Sequence, residues 1–84
     1  MNDTQSIEAV LAGVWKSVLQ LDGVDTRDHF LDLGGNSISA IQILSSINEL
    51  FGVELSMKEF FKVLTIAELS DELKRRGVPH GQRH

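Results

Sequence analysis

Ser37 follows Gly34, Gly35 and Asn36 and opens the run Ile38-Ser39-Ala40-Ile41. Two glycines let the backbone turn sharply and let another molecule approach closely. A serine just past such a turn, at the start of an apolar-periodic segment, stands where a helix has unpaired N–H groups. The positive end of the helix dipole is there too, and together they suit a phosphate. The chemistry on offer is therefore a primary alcohol that binds or carries a phosphoryl group, with Gly35 and Asn36 beside it. The same residues also fit a plain helix cap, because serine and asparagine are common there. Residue types and spacing leave both readings open.

Other chemistry is a poorer match. Gly35-Asn36-Ser37-Ile38-Ser39 approaches the nucleophile elbow of hydrolases, but Ser39 replaces its final glycine and no strand precedes it. A serine nucleophile also needs a base within hydrogen-bond reach, and His29 is the one histidine outside the C-terminal tail. No lysine follows the glycine pair as a phosphate-binding loop requires. His29, His80 and His84 lack metal-ligand spacing, and there is no cysteine. With 12 acidic against 8 basic residues the net charge is −4, which disfavours a nucleic-acid partner. A small helical DNA-binding module would need a basic recognition helix, whereas the segment after Ser37 has Glu49 as its one charge.

The positioning elements are helical. Ile7, Val10, Leu11, Val14, Trp15, Val18 and Leu19 recur at helical spacing, with Asp3 or Thr4 able to cap the start and Asp22-Gly23 expected to end it. A second helix begins near Ser37, carries Ala40, Ile43, Leu44, Ile47, Leu50 and Phe51, and closes at Gly52. Ser56-Met57-Lys58-Glu59 is a capping-box sequence opening a short segment with Phe60, Phe61 and Leu64. Thr65-Ile66-Ala67-Glu68 is a second box, opening a last helix that Gly77 and Pro79 stop. Between Leu21 and Asn36 lie about 16 residues without periodicity, which Phe30, Leu31 and Leu33 can anchor to the helices.

The expected fold is all-α: three principal helices and one short helix, with a long loop between the first and second. It forms a single domain over residues 1–84, folded from about 5 to 77 with a flexible tail over 78–84. Lys74, Arg75, Arg76 and Arg83 make the C-terminal end basic, where cations complement a helix dipole. No apolar run nears the roughly 20 residues of a membrane span and no secretory leader is visible, so a cytoplasmic location without membrane partners is expected.

At about 100° per residue, Ala40, Ile43, Leu44, Ile47 and Phe51 share one stripe facing the core. Ile38 falls outside it among Gln42, Ser45 and Glu49, with Ile41 at the margin. An exposed apolar spot within a turn of Ser37 is a candidate docking point.

The run Asp28-His29-Phe30-Leu31-Asp32-Leu33-Gly34-Gly35-Asn36-Ser37-Ile38 resembles the core motif of peptidyl carrier proteins of nonribosomal peptide synthesis. Val14 to Leu19, Phe51 to Leu55 and Leu64 to Leu69 resemble that family's first helix, second-helix exit and last-helix start. The resemblance spans roughly residues 5 to 75. It implies a four-helix bundle of the acyl-carrier type, and a carrier rather than an enzyme. A separate phosphopantetheinyl transferase would place 4′-phosphopantetheine from coenzyme A on Ser37, with Gly35 and Asn36 at the attachment site. An adenylation enzyme would load the arm, and condensation, tailoring or thioesterase enzymes would use it. Leu33, Ile38, Ile41 and Phe61 are the candidate docking residues. Asn36 stands where histidine or aspartate is common in the family, and Ile38 where leucine is, so subtype stays open between peptidyl, polyketide and aryl carriers. Fatty-acid carriers present a strongly acidic second helix, which this sequence lacks, and the peptidyl class is preferred. A monomer is expected. Met1 close to the first helix suits a discrete protein, though an excised module would look the same.

Overall fold

The structure, a computed structural model, describes residues 6–78. Those residues form four α-helices, one 3-10 turn and no strand. Helix α1 spans Ile7–Leu19, the 3-10 turn Phe30–Leu33, α2 Ser37–Phe51, α3 Met57–Phe60 and α4 Ile66–Arg75. Three long helices and a one-turn helix are the architecture the sequence predicts.

Both ends of α1 differ from expectation. Its N-cap is Ser6, whose hydroxyl accepts the Ala9 N–H at 3.0 Å. Asp3 and Thr4, the expected caps, lie outside the described residues. The helix stops at Gln20, in a left-handed conformation with φ 57°, before Asp22-Gly23 is reached. The Lys16 carbonyl explains this: it accepts the N–H groups of both Gln20 and Leu21, so the chain is already turned at Gln20. Satisfied carbonyls offset the strain of a non-glycine residue there.

The core is built on three aromatic rings. Trp15 of α1, Phe30 of the 3-10 turn and Phe60 of α3 are fully buried, with ring centroids 6.2, 6.2 and 5.6 Å apart and edge-to-face or tilted contacts. Around them pack Leu11, Ile43, Ile47, Ile66, Leu69 and Leu73. The long connection is therefore held to the bundle by Phe30. Its backbone is held too: the Phe30 N–H donates to the Leu64 carbonyl at 2.9 Å, and the Ala67 N–H to that of Thr26 at 3.0 Å. Leu33 is half-buried, but Leu31, expected as an anchor, is 51% exposed. The 3-10 turn, with three residues per turn, puts Leu31 on the side away from the ring cluster.

Helix α2 ends at Gly52 with φ 66°, as read from the sequence. Its core stripe is buried except for Phe51, which is half-buried, while Leu50 points to solvent. The loop after it is pinned by Asn48, a residue the sequence did not single out. Asn48 Nδ2 donates to the Leu55 carbonyl at 3.1 Å, and its Oδ1 accepts the Leu55 N–H at 3.0 Å. At α3 the capping box is complete, Ser56 and Glu59 bonding reciprocally at 3.1 and 2.9 Å. At α4 only half the expected box forms. Thr65 accepts the Glu68 N–H at 3.1 Å, but the Glu68 side chain, exposed to water, does not return to the cap.

Gly77, at φ 91°, follows the end of α4 as expected. Val78, assigned to the tail, is instead buried in the core and donates its N–H to the Leu73 carbonyl. Pro79 and the rest of that tail lie outside the described residues. The basic end of α4 does more than face a dipole. Arg75 and Arg76 both pair with Glu72, and Arg76 also reaches Glu59 of α3 at 2.7 Å.

These contacts make stability acid-sensitive. The Ser56 N–H, and after it Arg76, hold the Glu59 carboxyl below its ordinary value of 4.5, and Arg75 and Arg76 do the same for Glu72. A carboxyl whose folded value is depressed stabilises the fold above its unfolded value and loses that contribution as pH falls through the folded one. Urea unfolding should therefore give constant stability near neutrality and a decline that begins as pH falls past the ordinary carboxyl value of 4.5 and continues through the lower folded one. Glu59→Gln should make that decline shallower. An acid limb identical in Glu59→Gln would remove Glu59 from its cause.

Candidate attachment site at the start of α2

Chain direction at Ser37 is set by a short series of local bonds. His29 caps the 3-10 turn, its Nδ1 accepting the Leu31 N–H at 3.2 Å. Gly34 then reverses the chain at φ 90°, a conformation costly for any residue with a Cβ. The Gly35 N–H donates to the Phe30 carbonyl at 3.1 Å, which lays Gly35 over the Phe30 ring. A Cβ on Gly35 would lie 2.4 Å from two ring carbons. The two glycines thus have separate causes. Gly34 answers a backbone demand, and Gly35 lacks a side chain because the ring occupies its place. The sequence suggested only the general freedom of glycine.

Asn36, with φ −145°, is the N-cap of α2, and Ser37 is the first helical residue. Of the two cap candidates, the structure selects asparagine. Asn36 Oδ1 accepts the Ser39 N–H at 3.0 Å, while Ser39 Oγ accepts the Asn36 N–H at 2.8 Å and lies 3.1 Å from the Asn36 carbonyl. Ser39 is buried and closes this reciprocal box, a role the sequence did not assign to it. The Ser37 hydroxyl takes no part in the cap, and the residue is exposed. In the first turn, the N–H groups of Ser37 and Ile38 have no intrahelical acceptor. An exposed primary alcohol next to free N–H donors, at the positive end of a helix of 15 residues, fits a phosphate ester on that alcohol.

The candidate docking residues are distributed as follows. Ile38 is 69% exposed, Ile41 57% and Phe61 41%, whereas Leu33 is half-buried against the core. Leu31 joins the exposed set. Ile38 and Ile41 stand one and four residues from Ser37 on α2, and Phe61 closes α3, its ring 5.8 Å from that of Phe60. Glu49 is the single charge on α2. Among the described residues there is no group of three metal-ligating side chains, and no helix is long and apolar enough to cross a membrane.

Comparison with known proteins agrees with this geometry. Residues 9–73 match the family described as the phosphopantetheine attachment site. Surfactin synthase subunit 2 of Bacillus subtilis (strain 168) is 42% identical over 72 residues, covering 86% of this chain and 2% of that protein. The chain spans 1–3% of the length of the curated relatives it matches. Among solved structures, BlmI, a type-II acyl carrier protein of Streptomyces verticillus involved in bleomycin biosynthesis, superposes with a TM-score of 0.81. It is 33% identical, with 86% of this chain and 87% of BlmI covered. A peptidyl carrier protein in complex with the phosphopantetheine transferase Sfp and coenzyme A also gives 0.81, at 29% identity and 90% and 99% coverage. The fold, the turn into α2 and the matched residues converge: the chain is a carrier domain of the phosphopantetheine attachment site family, whose cofactor is 4′-phosphopantetheine.

Proposed function

We propose that Ser37 carries the phosphopantetheine arm and that the domain presents aminoacyl or peptidyl thioesters to the enzymes of a nonribosomal peptide assembly. The observation that carries this reading is the division of labour at the start of α2. Asn36 and Ser39 form the cap between them, leaving the Ser37 hydroxyl exposed and uncommitted. In the transfer, Ser37 Oγ forms a bond to phosphorus as the phosphoanhydride of coenzyme A breaks and 3′,5′-adenosine diphosphate leaves. The proton of the hydroxyl goes to a base on the transferase. His29, the histidine nearest in sequence, uses its Nδ1 to cap its own turn. This supports a carrier without catalysis of its own. Once bound, the arm supplies a thiol on which the acyl group rides. Because the donor is coenzyme A, the same reading keeps the expected cytoplasmic location.

The peptidyl class is supported by the relatives, among them a dimodular nonribosomal peptide synthase beside surfactin, tyrocidine and linear gramicidin synthases, and by an α2 with one charged residue. Adenylation enzymes, condensation enzymes and thioesterases are the expected partners beside the transferase. The test begins with apo protein, coenzyme A and a broad-specificity transferase, followed by intact mass and fragment mapping. One added arm on the peptide containing Ser37 is expected, and then aminoacyl loading by an adenylation enzyme encoded near its gene. No addition, or an arm on another residue, overturns the assignment of Ser37. Malonyl loading by an acyltransferase with no aminoacyl product overturns the peptidyl class in favour of a polyketide carrier.

Docking should rest on Ile38 and Ile41, two exposed apolar side chains beside the site. Ile38→Asp is expected to slow transfer to partners while leaving thermal stability nearly unchanged, because its side chain is already in water. A stability loss resembling that of the buried Leu44→Ala, typically about 2–5 kcal/mol, would place Ile38 in the core instead.

A further inference from the structure

Helix α3 is a single turn, Met57–Phe60, and one turn of helix is too short to hold itself in water. Three tethers hold it. Phe60 is buried among the rings, Asn48 brackets Leu55 just before it, and Glu59 links it to α4. The Glu59 carboxylate uses both oxygens. Oε1 accepts the Ser56 N–H at 2.9 Å and completes the capping box of α3, while Oε2 accepts from Arg76 Nη2 at 2.7 Å. Arg76 is itself aimed by Glu72, one turn earlier in α4, whose Oε2 accepts its Nε–H at 2.9 Å. A planar guanidinium can serve two carboxylates at fixed angles, which a lysine ammonium cannot. At 28% and 43% side-chain exposure, Arg76 and Glu59 form a partly shielded pair between elements 17 residues apart.

What α3 carries gives this link a consequence. Met57 lines an open groove of about 560 Å³ with Ile41, Leu44, Ser45, Asn48 and Glu49, the one charge on α2, and Phe61 projects from the end of the turn. We infer that Arg76 is a positioning residue for docking of the phosphopantetheinyl transferase: through Glu59 it holds α3 against α4, so that Met57 keeps its place in the groove with Ile41 and Phe61 its place at the end of the turn. The inference rests on the reading of that face as the docking surface. A groove whose lining carries Glu49 as its single charge thereby depends on an ion pair outside that lining. Release of Arg76 leaves Ser37 and its cap untouched and lets α3 open.

The test uses the full apo chain, a broad-specificity transferase and coenzyme A. Glu59→Gln keeps an N3 acceptor for the capping box and removes the charge, and Arg76→Gln removes the other partner. Amide exchange at Phe60, Phe61, Lys62 and Val63, whose N–H groups close the turns of α3, should accelerate about two- to fivefold in either variant. Exchange in α1 and α2 should not change. The double variant should add nothing to the single ones, and Arg76→Lys should fall between wild type and Arg76→Gln. The KM for apo protein should rise by up to the same factor with kcat unchanged. Exchange that stays at the wild-type rate, accelerates throughout the chain, or accelerates with no change in KM overturns the inference. Ile38→Asp and Phe61→Ala separate the two ideas. If neither raises KM, the docking face itself is wrong; if both do and the Arg76 variants do not, the positioning role alone falls.

Discussion

Ser37→Ala is expected to take up no phosphopantetheine at all and to unfold within about 0.5 kcal/mol of the wild type. The first half follows from the chemistry of the ester, since alanine has no oxygen to bond to phosphorus. The second follows from the cap. Ser37 is the first residue of α2 but contributes no hydrogen bond to its start, which Asn36 and Ser39 close between them. Alanine is also the better helix former, by a few tenths of a kcal/mol. Ser39→Ala is the informative contrast. It removes the buried oxygen that accepts the Asn36 N–H at 2.8 Å, in a part-buried cap, and should cost about 0.5–2 kcal/mol. It retains the reacting hydroxyl and should still be modified, more slowly. Intact mass after exhaustive incubation and urea unfolding read the two effects separately. A Ser37→Ala protein that still gains an arm would move the attachment to another serine. One destabilised as much as Ser39→Ala would make the Ser37 hydroxyl part of the cap after all.

The residues of α2 were legible because they answer to local rules. A regular period with a clean apolar stripe predicts that Ile38 and Ile41 face water, and 69% and 57% exposure agree. Gly52 and the Ser56–Glu59 box could be read for the same reason, since a cap is decided within four residues. What the sequence hid is tertiary. Nothing in the aperiodic stretch before Ser37 reveals that Phe30 lies under Gly35, or that Leu31 turns outward. Arg76 reads as a complement to the α4 dipole until α3 folds back within reach of it. Gln20 shows the limit of punctuation by glycine: a doubly used Lys16 carbonyl ends α1 three residues before Gly23. Ser37 could be singled out as the candidate attachment serine, and the cap that leaves its hydroxyl free could not, because asparagine and serine are interchangeable in that role until the backbone is placed.

Gly35→Ala should produce a large loss of stability, and its partner in that loss should be Phe30. The added methyl would meet Phe30 Cε2 and Cζ at 2.4 Å and Cε1 at 2.6 Å. Ring ends often swing aside, but this ring is fully buried with Phe60 at 5.6 Å and Trp15 at 6.2 Å. Overpacking of that kind costs about 1–3 kcal/mol. Phe30→Ala, which empties the space, should cost about 3–5 kcal/mol. An 84-residue chain holds roughly 4–13 kcal/mol in total, so either change consumes a large share. The decisive measurement is a double-mutant cycle by urea unfolding at constant m-value. In a Phe30→Leu background the ring edge is gone, and Gly35→Ala should cost at least about 0.5 kcal/mol less than in the wild type. Gly34→Ala is the control, for its φ of 90° strains any Cβ while nothing crowds the position. It should cost about 1–2 kcal/mol equally in both backgrounds. Equal costs for Gly35→Ala in the two backgrounds would mean that the backbone, and not the ring, demands this glycine. The corner before Ser37 would then be held by chain conformation alone. Coupling confined to Gly35 would tie the orientation of Ser37 directly to the aromatic core.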